Sequence, residues 1–236
     1  MESMNFIKEL IYPGRCAICD DILLPGTGKV CQGCKNKPKH VKEPVCRKCG
    51  KPLRNPEAEY CRDCMERKHY FKEGAALFVY SSIKESIYRF KYEGRQEYGA
   101  YYGEQVRLHL AEKIRRWRPE ALIPVPLHKK RLQKRGYNQA AVFAKAISRE
   151  TGIPVYENFA ERIRNTVPQK ELNGQERENN LKKAFKIRQN EVKLKVIIII
   201  DDIYTTGSTM DALALECKKA GIETVYCISL AIGALK

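Results

Sequence analysis

From residue 71 onward the chain alternates between two hydrophobic rhythms. Ala75–Tyr80 reads as a strand and leads into a helix over Ser82–Tyr92. A second helix is expected over Gln96–Trp117, stopped near Pro119, and a short apolar strand over Ala121–Pro126. Asn138–Thr151 has the helical period, with Ala141, Phe143, Ala144 and Ile147 on the buried side and Gly152 at its end. Val155–Phe159 reads as a further strand. Val196–Ile200 is wholly aliphatic, the mark of a strand buried on both faces. A helix over Ser208–Ala220, ended by Gly221, and a strand over Thr224–Leu230 complete the series. Strands alternating with helices predict an α/β unit, a parallel sheet with helices on both faces.

The first 70 residues have few large aliphatic side chains after Leu24 and cannot build a core of ordinary size. They carry eight of the ten cysteines, in four CxxC pairs: Cys16/Cys19, Cys31/Cys34, Cys46/Cys49 and Cys61/Cys64. The first members recur every 15 residues. A CxxC turn brings two sulfurs to one metal ion, and two such turns close a tetrahedral structural zinc site. Eight ligands make two zinc ions. Sequential pairing joins Cys16, Cys19, Cys31 and Cys34, then Cys46, Cys49, Cys61 and Cys64; a crossed-brace pairing fits the same spacing. Disulfides are the alternative, suited to an oxidising compartment. Cys217 and Cys227 lie in apolar segments and read as buried thiols. The organisation expected is a double zinc ribbon over 1–70 and an α/β domain over 71–236.

The aliphatic strand ends in Asp201 and Asp202, followed by Thr205, Thr206, Gly207, Ser208 and Thr209 at the start of a helix. Two carboxylates can accept from vicinal ribose hydroxyls. The turn offers backbone N–H groups and hydroxyls at a helix N-terminus, a phosphate site. Gly207 gives the turn its backbone freedom. A ribose 5-phosphate satisfies both halves. No GxxxxGK[ST] occurs, which argues against a P-loop nucleotidase.

Charge sharpens this. The 236 residues carry a net charge of +16, which attracts polyanions. Lys129, Lys130, Arg131, Lys134 and Arg135 form a dense basic stretch suited to pyrophosphate or to nucleic-acid phosphates. Aromatic residues lie beside basic ones at Tyr88, Phe90, Tyr92 and Tyr137; some of these suit single-strand stacking, and several, Phe90 first, are expected in the core instead. No apolar run approaches the roughly 20 residues that span a bilayer. Met1–Pro13 lacks a continuous apolar segment. These features lead us to expect a cytoplasmic protein without membrane insertion.

The string Val196–Thr209 resembles the phosphoribosyl-diphosphate (PRPP) signature of type I phosphoribosyltransferases. Ile123-Pro-Val-Pro-Leu127, Lys130-Arg131, Arg135-Gly-Tyr-Asn-Gln139, Phe90-Lys-Tyr-Glu-Gly94 and Ile11-Tyr-Pro13 resemble the ComF family, as do Arg164, Thr166, Gln169, Leu172, Arg177 and Asn180. The resemblance implies a type I phosphoribosyltransferase fold behind a double zinc ribbon. It implies Mg²⁺ bound with PRPP, and a loop over Arg164–Asn180 that closes on the ligand. In the competence members it implies handling of incoming single-stranded DNA beside a helicase partner. Two functions fit. One is transfer of phosphoribosyl to a nucleophile with release of pyrophosphate, Asp201 and Asp202 being the catalytic pair. The other is a non-catalytic adaptor that senses PRPP or a nucleotide while holding single-stranded DNA.

Overall fold

The computed structural model describes residues 13–164, 184–188 and 193–233. Its main sheet has four parallel strands in the order β1-β6-β5-β2. They are β1 (Glu73–Val79), β2 (Ala121–Pro124), β5 (Val196–Tyr204) and β6 (Thr224–Ile232). Helices α2 (Tyr80–Tyr92), α3 (Tyr98–Trp117), α4 (Lys129–Arg135), α5 (Gln139–Thr151) and α6 (Ser208–Lys219) lie between them in the chain. A two-stranded antiparallel pair, β3 (Ala160–Arg162) with β4 (Phe185–Ile187), stands apart from the main sheet.

Successive side chains of a strand point to opposite faces, and this divides the core in two. Ile198 and Ile200 pack with Leu77, Ile228 and Leu230 beneath α2, α3 and α5. Ile197 and Ile199 pack with Ala121, Ile123 and Val225 against α6 and the β3–β4 pair. Burial on both faces is why β5 reads as a continuous aliphatic run.

Several boundaries differ from expectation. β5 continues past Ile200 to Tyr204, because Asp201 and Ile203 keep register with Ser229 and Ala231 of β6. Val155 makes a single parallel bridge to Leu122, and the regular strand begins only at Ala160. α2 begins at Tyr80 and is kinked at Ile83, whose φ of −134° is not helical. α3 ends where Arg118 turns left-handed before Pro119, a residue pair that disfavours helix.

The cysteine-rich segment does not stand apart from the sheet. Its first half, with Cys16, Ala17, Ile18, Leu23, Val30 and Cys34, joins the α2–α3 side of the core. Its second half, with Cys46, Cys49, Cys61 and Phe71, joins the α6 side. Between them, residues 39–41 run along the free edge of β1. Val79 N–H donates to Lys39 O at 2.8 Å and Val41 N–H to Leu77 O at 3.0 Å. A covered edge offers no template for a further strand.

Candidate functional site

The cysteines form two separate clusters in the sequential pairing. The sulfurs of Cys16, Cys19, Cys31 and Cys34 lie within 4.8 Å of one another, and so do those of Cys46, Cys49, Cys61 and Cys64. A tetrahedron of about 2.3 Å Zn–S bonds has edges of about 3.8 Å. The Cys19–Cys31 and Cys49–Cys61 sulfurs are each 3.7 Å apart, so both donor sets fit zinc. The turns repeat at a 30-residue offset. Asp20 N–H donates to Cys16 O at 2.9 Å and Gly50 N–H to Cys46 O at 2.8 Å, both with positive φ. At Gly50 a side chain would meet Gly74 O at 2.9 Å, since the turn presses on β1. Asp20 instead uses its side chain: it accepts from Tyr98 Oη and from Arg95 at 2.9 Å. Burial pushes its carboxyl pKa up, but Tyr98 and Arg95 outweigh burial and hold it below the usual range.

The phosphate loop follows β5. Gly207 has φ +80° and immediately precedes α6. A Cβ there would lie 2.8 Å from Tyr204 Cζ, so both backbone conformation and space demand glycine. Thr206 and Ser208 hydroxyls are 2.8 Å apart. Thr205 is exposed at the turn. The N-cap of α6 is Gly207, which has no side chain to bond the first N–H groups of the helix.

Asp201 and Asp202 are consecutive in a strand and therefore face opposite ways. Asp202 is buried toward α2 and α5, where Lys91 Nζ lies 2.9 Å from Oδ1 and Gln139 Nε2 donates to Oδ2 at 2.5 Å. Asp201 Oδ1 accepts from Asp202 N–H at 2.8 Å. Burial and the neighbouring Asp202 charge push the Asp201 pKa up to about 7, against the pull of that backbone bond, Lys91 and Arg162.

The two acids, Thr205 and Thr209 line a cleft of about 230 Å³ together with Lys91, Arg131, Arg135, Gln139 and Arg162. Four cations thus surround two carboxylates, which fits a polyanionic ligand. α4 sorts the basic stretch. Arg131 and Arg135, four residues apart, share a helix face and line the cleft. Lys129, Lys130 and Lys134 are exposed and do not line it. His128 Nδ1 caps the helix by accepting from Lys130 N–H at 3.3 Å. Arg135 donates to Gln139 Oε1 at 2.9 Å and stacks over Tyr92 at 4.8 Å. Burial and the nearby Arg131 lower the Arg162 pKa to about 10, against the opposing pull of Asp201.

Sequence reasoning does not find Lys91 and Arg162 as cleft residues. Lys91 stands within the Phe90–Gly94 string, where the pattern marks it only as one surface cation among others; Arg162 has no motif around it. Of the loop expected over Arg164–Asn180, Thr166, Gln169, Leu172, Arg177 and Asn180 lie outside the described residues.

Comparisons with known proteins agree with this organisation. The double zinc ribbon domain family matches residues 7–65. Competence protein F of Haemophilus influenzae is 30% identical over 234 residues, covering 97% of this chain and 99% of that protein. Competence protein ComFC of Bacillus subtilis is 28% identical, covering 90% and 93%. DNA utilization protein YhgH of Escherichia coli K12 is 27% identical, covering 93% and 98%. Among solved structures, a purine phosphoribosyltransferase from Pyrococcus horikoshii matches with a TM-score of 0.33 and 19% identity, over 58% of this chain and 85% of that one. Matched along nearly its whole length to a competence protein, ribbons and α/β unit together, the chain belongs to the ComF family.

Proposed function

We propose that the protein binds PRPP in the Asp201–Thr209 cleft and transfers the phosphoribosyl group to a nucleophile, releasing pyrophosphate, in the cytoplasmic handling of single-stranded DNA. The observation that carries this is the meeting, in one cleft, of Asp201 and Asp202 near the end of β5, a glycine-hinged loop at a helix start, and Arg131 with Arg135. In this reading the loop holds the 5′-phosphate. Asp201 and Asp202 orient the ribose hydroxyls, and Arg131 and Arg135 neutralise the departing pyrophosphate. The carboxylate oxygens suit a hard cation, Asp201 more than Asp202, which Lys91 and Gln139 already hold. Mg²⁺ arriving with the diphosphate would supply Lewis-acid assistance to its departure. Calorimetric titration with PRPP and Mg²⁺, and pyrophosphate release in a metabolite extract, test the two halves. Absence of heat with PRPP would remove the reading.

A second reading, a PRPP-sensing adaptor on single-stranded DNA, is favoured by one further observation. Tyr88 and Tyr92 are exposed, their ring centroids 5.2 Å apart, and Arg135 stacks on Tyr92 at the rim of the cleft. Exposed rings beside a guanidinium suit unpaired bases and their phosphates. A competence helicase as partner belongs to this reading. No helix among the described residues is long and apolar enough to cross a membrane. The division of the chain at residue 70 is retained in both readings, with the ribbons as bracing for the α/β unit.

A further inference from the structure

The second cysteine cluster is wired to the phosphate loop. His69 is buried just beyond α1 (Arg62–Glu66). Its Nε2 lies 3.3 Å from Cys64 Sγ and its Nδ1 lies 2.6 Å from Asp211 Oδ2. Asp211 sits in the first turn of α6, where its N–H donates to Gly207 O at 2.8 Å. Its other carboxylate oxygen accepts from Tyr70 N–H at 3.0 Å. Two consecutive residues trailing the ribbon therefore grip both oxygens of one carboxylate at the base of the loop. A second contact runs beside it. Tyr204 is buried against Gly207 and stands edge-on to Phe71 at 6.4 Å, in the core that also holds Cys46, Cys49 and Cys61.

The first cluster leads elsewhere. Arg89 Nη1 donates to Ile18 O at 3.3 Å, Ser86 bonds Ala17 O, and Asp20 meets Arg95 and Tyr98, all on α2, α3 or the turn between them. The two sites are alike in their ligands and different in what they touch.

We propose that His69 and Asp211 are positioning residues that lock the phosphate loop to the second metal site. The geometry of Thr205–Thr209 then depends on the metal at Cys46, Cys49, Cys61 and Cys64, and not on the metal at the first cluster. The physical reason is rigidity. A metal-bound thiolate is fixed in space and accepts a hydrogen bond, so the group bonded to it is fixed as well. Here that group holds the carboxylate from which the first turn of α6 is built. Loss of the metal frees Cys64, removes one anchor of His69, and loosens the loop.

The test is backbone hydrogen exchange of the Thr205–Met210 segment in the zinc-loaded full chain. His69→Phe keeps a ring in place and deletes both polar interactions; Asp211→Asn is the conservative companion. Each variant is expected to speed exchange of this segment about tenfold, the effect of losing one charge-assisted bond. Exchange over Tyr98–Tyr102, beside the first ribbon, should stay as in wild type, and elemental analysis should still find both metals. The same variants should weaken PRPP about tenfold; this arm rests on the function proposed above, whereas the exchange arm does not. Faster exchange in a protein that does not bind PRPP would remove that function and leave the coupling standing. If the variants do not fold, wild-type protein decides. Progressive chelation should raise exchange in Thr205–Met210 together with that of Cys46–Cys64, whatever the state of Cys16–Cys34. Unchanged loop exchange, with the second metal lost or with His69 replaced in a folded protein, overturns the proposal.

Discussion

Lys91 and Asp202 form an ion pair of 2.9 Å across the floor of the cleft, joining α2 to the end of β5. Both side chains are largely buried, at 13% and 9% exposure, so the pair is poorly screened. Asp202 therefore reaches a ligand already neutralised on one side, while Asp201 keeps a raised pKa. The two neighbouring carboxylates are not equivalent.

Lys91→Met leaves Asp202 buried with Gln139 alone. A loss of about 2 kcal/mol of stability is expected, below the range for breaking a fully buried pair because the site opens to a cleft. Adding Asp202→Asn should restore part of it. Denaturant unfolding of the single and double variants gives the coupling; independent effects would mean the pair contributes nothing.

The raised pKa of Asp201 has a signed consequence. Its folded value of about 7 lies above the unfolded value, so the folded state binds the proton more tightly. The stability this contributes is complete below about pH 4 and is lost as pH rises through about 7. Asp201→Asn should flatten that fall. At pH 8 the variant should be more stable than wild type by on the order of 1–2 kcal/mol, discounted for the partial exposure of the group. It should also bind PRPP more weakly. Melting temperature against pH, with and without ligand, separates the two effects.

Gly207→Ala is expected to destabilise the protein by about 2 kcal/mol or more, from the left-handed backbone and the displaced Tyr204 ring. Gly207→Val should abolish PRPP binding. Trimming Tyr204 to Leu in the Ala variant should recover the steric part only. Thermal unfolding of the three proteins measures both parts.

Two equivalents of zinc are expected in protein purified without added metal. Because each ribbon shares its core with one face of the sheet, stripping the metal should destabilise the α/β unit as well. Circular dichroism melts before and after chelation test this. A sheet transition that does not move would show the ribbons to be appendages.

The basic stretch should divide by helix face. Arg131→Ala with Arg135→Ala should weaken PRPP strongly. Lys129→Ala, Lys130→Ala and Lys134→Ala together should leave PRPP affinity in place. They should flatten the salt dependence of single-stranded DNA binding by about 0.7 for each phosphate no longer neutralised. Tyr88→Ala with Tyr92→Ala should lower DNA affinity without changing that slope. Anisotropy titrations at several salt concentrations give both quantities; no binding at low salt removes the DNA reading.

The sequence by itself determined what depends on local pattern. The aliphatic run at Val196–Ile200 could only be a doubly buried strand, and β5 lies inside the sheet. The 15-residue recurrence of CxxC determined two tetrathiolate sets, since each turn places its own two sulfurs. Gly207 was legible because the turn from strand to helix needs a left-handed residue. Tertiary structure decided whatever depends on which elements meet. Sequential pairing of the cysteines needed the packing of each ribbon half on its own face of the sheet. That β5 runs on to Tyr204 needed β6 alongside, because the backbone from Asp201 to Tyr204 is held by pairing with Ser229–Ile232, partners that one strand's sequence does not contain. Arg131 entered the cleft and Lys130 did not, although they are adjacent, because α4 turns about 100° per residue and only one face meets the site. Lys91, Arg162 and His69 came to the phosphate loop from three distant segments. Their side chains carry no mark of that destination, since charge and ring are the same wherever the fold sends them.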